Sequence, residues 1–154
     1  MEIQTTPRAP IRSFTDLNAW KEGHKLVLMI YEATQRFPQK EVYELANQLR
    51  TAVASITSNI AEGFSRQSYK EKVYFYSVAL GSCTEVQNQI LIARDVGYTS
   101  KENFQKIATQ SVIVNKLING LIKKSKSMIH NSGSNPLRRS QIPRHPIQFE
   151  QRQR

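Results

Sequence analysis

Four segments of this chain place apolar residues at steps of three and four, a periodicity that fits packed helices and little else. The first begins after Phe14, with Thr15 as its expected N-cap and Asp16 facing the helix dipole. Its principal apolar set is Leu17, Trp20, Val27, Tyr31 and Thr34, and Pro38 ends it. The second starts near Glu41 and runs through Leu45, Leu49, Ala52, Val53, Ile56 and Ile60 to about Gly63. The third opens on Ser68 with Glu71 three residues on, the spacing of a capping box. Its stripe is Val73, Tyr76, Leu80, Cys83, Val86 and Ile90, and Gly97 is the expected stop. Thr99 and Glu102 repeat the capping-box spacing ahead of Phe104, Ile107, Ser111, Val114, Ile118 and Leu121, and fraying is expected near Met128. Short connections make neighbouring helices antiparallel. The expected fold is therefore all-α, an up-down-up-down four-helix bundle over 14–128, with a flexible segment at 1–13 and a disordered basic tail at 129–154.

Two helices are apolar on more than one side. On the third, Tyr74, Val78, Glu85 and Ile92 share the face opposite the main stripe; on the first, Leu26, Ile30, Ala33 and Phe37 lie beside the principal set. A helix apolar on two sides needs two partners. Tyr74, Val78, Ile92, Ile30 and Phe37 are accordingly the expected contacts between copies of the chain. Gly23 reads as a weak point inside the first helix, worth about 1 kcal/mol against alanine.

Charge narrows the partner. The 154 residues carry +10 at pH 7, unevenly distributed. Residues 128–154 hold five arginines and one glutamate, and 1–13 hold two arginines and one glutamate, so half of the excess lies in the tails. Flexible cationic arms are drawn to polyanions because binding releases condensed counterions. Within the body, Arg50, Arg66, Lys70 and Lys72 cluster around the second helix and the turn after it. Lys116, Lys123, Lys124 and Lys126 gather on the fourth, next to Arg138 and Arg139. Tyr69, Tyr74, Phe75 and Tyr76 interleave with the first group, as in surfaces that stack bases beside cations. RNA or DNA is the expected ligand of these groups.

Catalytic constellations do not assemble. A di-iron bundle needs two Glu-x-x-His pairs, and this chain has His24, with Lys21 three residues before it, and His130 and His145 in the tail. Ser55, Ser58, Ser77 and Ser82 have only His24 as a body histidine. Cys83 sits on the apolar stripe, where a thiol is buried and inert, and one cysteine makes neither an internal disulfide nor a cysteine-based zinc site. GFSRQS has one glycine and lacks P-loop spacing. Glu62 and Glu85 read as hydrogen-bonding groups for Ser58, Asn59 or Ser82 rather than as an acid–base pair. No stretch of about 18 apolar residues spans a membrane, and MEIQTTPRAP is no signal peptide. The expectation is a soluble cytoplasmic protein, not an enzyme, with no cofactor or metal.

The strings FTDLNAW and FPQKEVYELANQLRTAVASITSNIAEGFSRQSYKEKVYFYSVALGSCTEVQNQI resemble the four-helix-bundle family of 23S rRNA intervening-sequence proteins. The most specific part is Ser58-Asn59-Ile60-Ala61-Glu62-Gly63, with Gln48-Leu49-Arg50 before it and Gly81-Ser82 and Glu85 after it; the resemblance covers about Phe14 to Lys126. It implies a basic, non-enzymatic bundle that assembles as a homopentamer and faces RNA. A related group accompanies the reverse transcriptases of diversity-generating retroelements, which implies RNA/DNA and a polymerase as alternative partners. It implies no catalytic residues. Asn59, Glu62 and Gly63 read as architectural: Asn59 and Glu62 satisfying polar groups near a helix end, Gly63 taking positive φ there. Thr57 stands where proline is expected in many relatives, and the long arginine-bearing tail is not typical of the family.

Overall fold

The computed structural model describes residues 9–133, apart from Glu41 and the side chains at 42 and 43. The described residues form α1 (Asn18–Thr34), α2 (Asn47–Ser65), α3 (Tyr69–Asp95) and α4 (Lys101–Gly133). A 3₁₀ turn at Phe14–Asp16 precedes α1 and a π-helical turn at Val42–Ala46 leads into α2. Each helix packs on two neighbours, α1 on α2 and α4, α3 on α2 and α4, which closes the expected four-helix bundle. The directions follow from cross-helix contacts. Gln48 meets Gln89 and Ser55 meets Ser82, so α2 and α3 are antiparallel.

The 3₁₀ turn shows how the chain enters the bundle. Ser13 caps this turn, and α1 has Leu17 at its N-cap with no side-chain bond, so Thr15 caps neither. The Asp16 carboxylate accepts from the backbone N–H groups of Arg12 and Ser13, 2.9 Å each, which anchors the end of the expected flexible segment. Those two donors hold the Asp16 carboxyl below its usual value of 3.8. The third helix starts as expected, with Ser68 Oγ accepting from Glu71 N, and ends where Gly97 takes φ +81°. The fourth starts one residue later than the Thr99 reading. Ser100 Oγ accepts from Asn103 N at 3.1 Å and caps it, and α4 then continues past Met128 to Gly133.

The core runs along all four helices. Leu26 and Ile30 of α1, Leu49, Val53, Ile56 and Ile60 of α2, Cys83, Val86 and Ile90 of α3, and Val114 and Ile118 of α4 are almost wholly buried. Burying each large side chain contributes about 1.5–3 kcal/mol. The core of α1 is therefore wider than the sequence reading: Leu17 and Thr34 of the expected core set are buried, Trp20 and Val27 pack against the core, and the face expected against a second copy joins them. Ile30 and Phe37, expected against a second copy, are 0% and 4% exposed in the core of one copy, while Tyr31 of the expected core set is 43% exposed. Gly23 explains why the second face also turns inward. It lies in phase with Leu26, Ile30, Ala33 and Phe37, and a Cβ there would stand 3.3 Å from Thr57 and close to Ile56 and Ile60. A small residue lets α1 and α2 approach, and the face that carries it turns inward.

Candidate nucleic-acid interface

The α2–α3 turn is built around Gly63. Its φ is not positive; it is helical, and what it supplies is space. A Cβ would lie 2.6 Å from Tyr76 Cε1, so α2 ends pressed against the ring of the α3 residue opposite. Asn59 Nδ2 donates to the Ser55 carbonyl (2.8 Å) and hydroxyl (3.1 Å), and that hydroxyl meets Ser82 Oγ at 2.8 Å. Asn59 thus ties a side-chain ladder across the α2–α3 seam. Glu62 is exposed and paired with Arg66, one turn along its own helix.

Several cations assigned to the ligand from sequence have work inside the protein. Lys72 Nζ donates to the carbonyls of Gly63 (3.2 Å) and Phe64 (2.8 Å) and lies over the Phe64 ring. It adds a donor to the last carbonyls of α2, of which Gly63 also accepts from Arg66 N at 3.4 Å, and burial there lowers its pKa. The Arg66 guanidinium is held by Glu62 and stacks 4.8 Å from the centre of Phe75. Arg50 stands on the side of α2 facing α1, where Nε donates to Thr34 Oγ1 at 2.9 Å and the guanidinium covers Tyr31. It is not brought together with the α2–α3 turn.

The remaining lysines are exposed, and the fold gathers them. Cys83 Sγ reaches the Ser111 carbonyl at 3.5 Å, which fixes the register of antiparallel α3 and α4. Equal steps from that contact reach Lys70 at the start of α3 and Lys124 near the end of α4. Lys70, Lys123, Lys124 and Lys126 are thus grouped at one end of the bundle, all exposed. Lys116 lies further up α4. Beyond Glu102, α4 carries Lys106, Lys116, Lys123, Lys124 and Lys126 and no carboxylate. The opposite end is balanced: Glu32 faces Arg36, Asp95 faces Arg94, and Glu102 faces Lys106. The surplus positive charge of the body is therefore polar along the bundle axis. Sequence reading missed this because it comes from the α3–α4 register. Arg138 and Arg139 lie outside the described residues.

Of the interleaved aromatics, Tyr76 is core, Phe75 is covered by Arg66 and packs edge-on against Tyr74 at 5.2 Å, and Tyr74 is 64% exposed. Val78 and Ile92, on the same outer side of α3, are also exposed, and Glu85 between them accepts from Gln89 Nε2 at 3.1 Å. Leu28, Val96, Val112 and Ile113 are further exposed apolar residues that the sequence reading did not single out. Burial raises the Cys83 thiol to about 11, so it has no nucleophilic character near neutrality. Among the described residues no three His, Cys, Asp or Glu side chains group as metal ligands, and no described helix is long and apolar enough to cross a membrane.

A closed four-helix bundle with a cationic end defines a class of basic helical proteins, and the comparisons place the chain within it. The model of the 23S rRNA-intervening sequence protein family matches residues 15–120, and the chain belongs to that family. Its fold is similar to the crystal structure of a protein of unknown function from the S23 ribosomal protein family of Bacteroides thetaiotaomicron, at TM-score 0.64 and 20% identity. The likeness covers 68% of this chain and 95% of that one. Comparison with curated proteins gives no match.

Proposed function

We propose that this protein is a non-enzymatic, homo-oligomeric helical bundle that binds RNA or an RNA/DNA hybrid through its cationic end. The observation that carries the reading is the polarity of charge. Lys70, Lys123, Lys124 and Lys126 are exposed together where α3 begins and α4 ends, and the arginines of residues 134–154 follow from the same end. Lysines of this kind engage phosphates as point charges, so the preference is for backbone shape over sequence. The family name makes ribosomal RNA the first ligand to try. The exposed apolar residues Tyr74, Val78 and Ile92 on α3 support self-association, with the pentamer expected from family resemblance as the assembly to look for.

Titration of a fluorescent 23S rRNA fragment tests the reading. Changing Lys70, Lys123 and Lys124 together to glutamine weakens binding at least tenfold with the circular dichroism spectrum unchanged, each lost phosphate contact being worth about 1 kcal/mol at low salt. Unchanged affinity would overturn the assignment. Capture of a reverse transcriptase that survives nuclease treatment would favour a docking role for the same bundle.

A further inference from the structure

A glycine stands well inside α4 where the described fold does not call for one. Gly120 is exposed, and at about 100° per residue it falls opposite Ser111, Val114, Ile118 and Ile122, the buried line of the helix. A Cβ added there would meet no other part of the described fold within 4 Å. Gly23 and Gly63 each make room for a side chain of another helix; Gly120 makes room for nothing in the bundle. Glycine inside a helix is unfavourable relative to alanine, and its characteristic use is to let a ligand approach the backbone closely. The residues around the opening identify the ligand. Positions three and four apart are neighbours on a helix surface, and for Gly120 these are Lys116, Leu117, Lys123 and Lys124. Leu117 packs against the core. The three lysines are exposed, and none has an ion pair with a described residue. Gly81, inside α3 and equally open, has Ser77, Val78, Thr84 and Glu85 in the same places, with no cation among them.

We infer that Gly120 is the floor of a phosphate saddle, where the sugar–phosphate backbone of an RNA strand crosses α4 between Lys116 on one side and Lys123 and Lys124 on the other. The donors select the ligand class. Ammonium groups are compact charges that donate and never accept, and no aromatic ring stands among these neighbours to stack a base. The backbone N–H of a mid-helix residue is spent on the carbonyl one turn back. Gly120 therefore contributes proximity: without a Cβ the strand settles between the lysine stems, where each phosphate is nearer the ammonium groups and the attraction is stronger. Lys116 and Lys123 are about 10 Å apart along the helix axis, one on each side of the bare backbone. The saddle rests on the nucleic-acid reading and extends it, carrying the contact from the lysine end up α4 to Lys116.

A size series at Gly120 in the full-length protein tests it with charge held constant. Alanine and leucine are better helix formers than glycine, so Gly120→Ala and Gly120→Leu each raise the melting temperature, by about 2–4 °C. Against the fluorescent 23S rRNA fragment at about 50 mM salt, Gly120→Ala weakens binding about threefold and Gly120→Leu about tenfold, as phosphates are lifted off the lysines. Gly120→Leu also lowers the slope of log K against log salt by about 0.7–1.4, one or two phosphate contacts. Thr109→Leu, exposed on the same outward line about three turns away, binds as the wild type does. Wild-type affinity in Gly120→Leu, or an equal loss in Thr109→Leu, would overturn the saddle and leave the nucleic-acid reading standing. A fall in melting temperature on Gly120→Ala would overturn it too, by showing that the fold itself needs the glycine. Wild-type protein that binds no RNA at any salt would overturn the reading and the saddle together.

Discussion

Gly63 on α2 faces the ring of Tyr76 on α3 so closely that a methyl group would stand 2.6 Å from one ring carbon and 2.9 Å from another. The contact sets how tightly the two helices converge at the turn carrying Arg66, Lys70 and Lys72. Tyr76 is 3% exposed, so the ring has nowhere to move. Gly63→Ala therefore destabilises the bundle despite alanine's better helix propensity, by about 1–3 kcal/mol from overpacking. Urea denaturation measures the loss, and adding Tyr76→Leu to Gly63→Ala recovers part of it relative to the sum of the single changes.

Lys72 and Lys70 stand near each other in sequence and separate in role. Lys72→Met removes the donors to the Gly63 and Phe64 carbonyls and costs about 1 kcal/mol of stability. Lys70→Met leaves stability within about 0.5 kcal/mol, as for an exposed side chain without a special contact. RNA affinity moves the other way: Lys70→Met weakens it, and Lys72→Met changes it less. Paired denaturation and binding measurements on the two variants check the crossing.

Acid acts on the entry to α1. The Asp16 carboxyl is held low by the N–H groups of Arg12 and then Ser13. A depressed folded value means that this stabilisation is fully present above the unfolded value and is lost as pH falls through the folded one. Wild type is thus more stable than Asp16→Asn at pH 7, and the difference in melting temperature narrows as pH falls through the lowered folded value, below which both side chains are neutral. A gap that persists at the lowest pH would mean that Asp16 acts through shape and not charge.

Cys83 is fully buried, its thiol pushed up to about 11. An aromatic disulfide reagent at pH 8 leaves it unmodified in the folded protein and reacts once denaturant opens the bundle. The reaction rate against urea then follows global unfolding.

The helices, their antiparallel order and both ends of α3 were legible because each depends on residues close in sequence. Ser68 caps α3 with its own Oγ, and Gly97 takes a left-handed φ. The facing of α1 was harder, since apolar residues occupy both sides of it. Gly23, in phase with Leu26 and Ile30, carried the signal, yet reads as a weakness until the crowding of Thr57, Ile56 and Ile60 around it is known. The cations divide along the same line. Their number and clustering are sequence properties, but whether a cation is free depends on tertiary partners. Arg50 meets Thr34 and Tyr31 on another helix, and Lys72 reaches back across a turn to carbonyls that only the folded chain presents.

The account turns on surplus exposed lysines at one end of the bundle holding a polyphosphate, and the salt dependence of binding reads that directly. Affinity for a single-stranded or structured rRNA fragment is measured between about 50 and 200 mM monovalent salt. Each phosphate neutralised contributes about 0.7 to the slope of log K against log salt, so a slope of magnitude about 3 is expected from Lys70, Lys123, Lys124 and Lys126, and more with the tail engaged. A slope near zero, or no binding at the lowest salt, would contradict it.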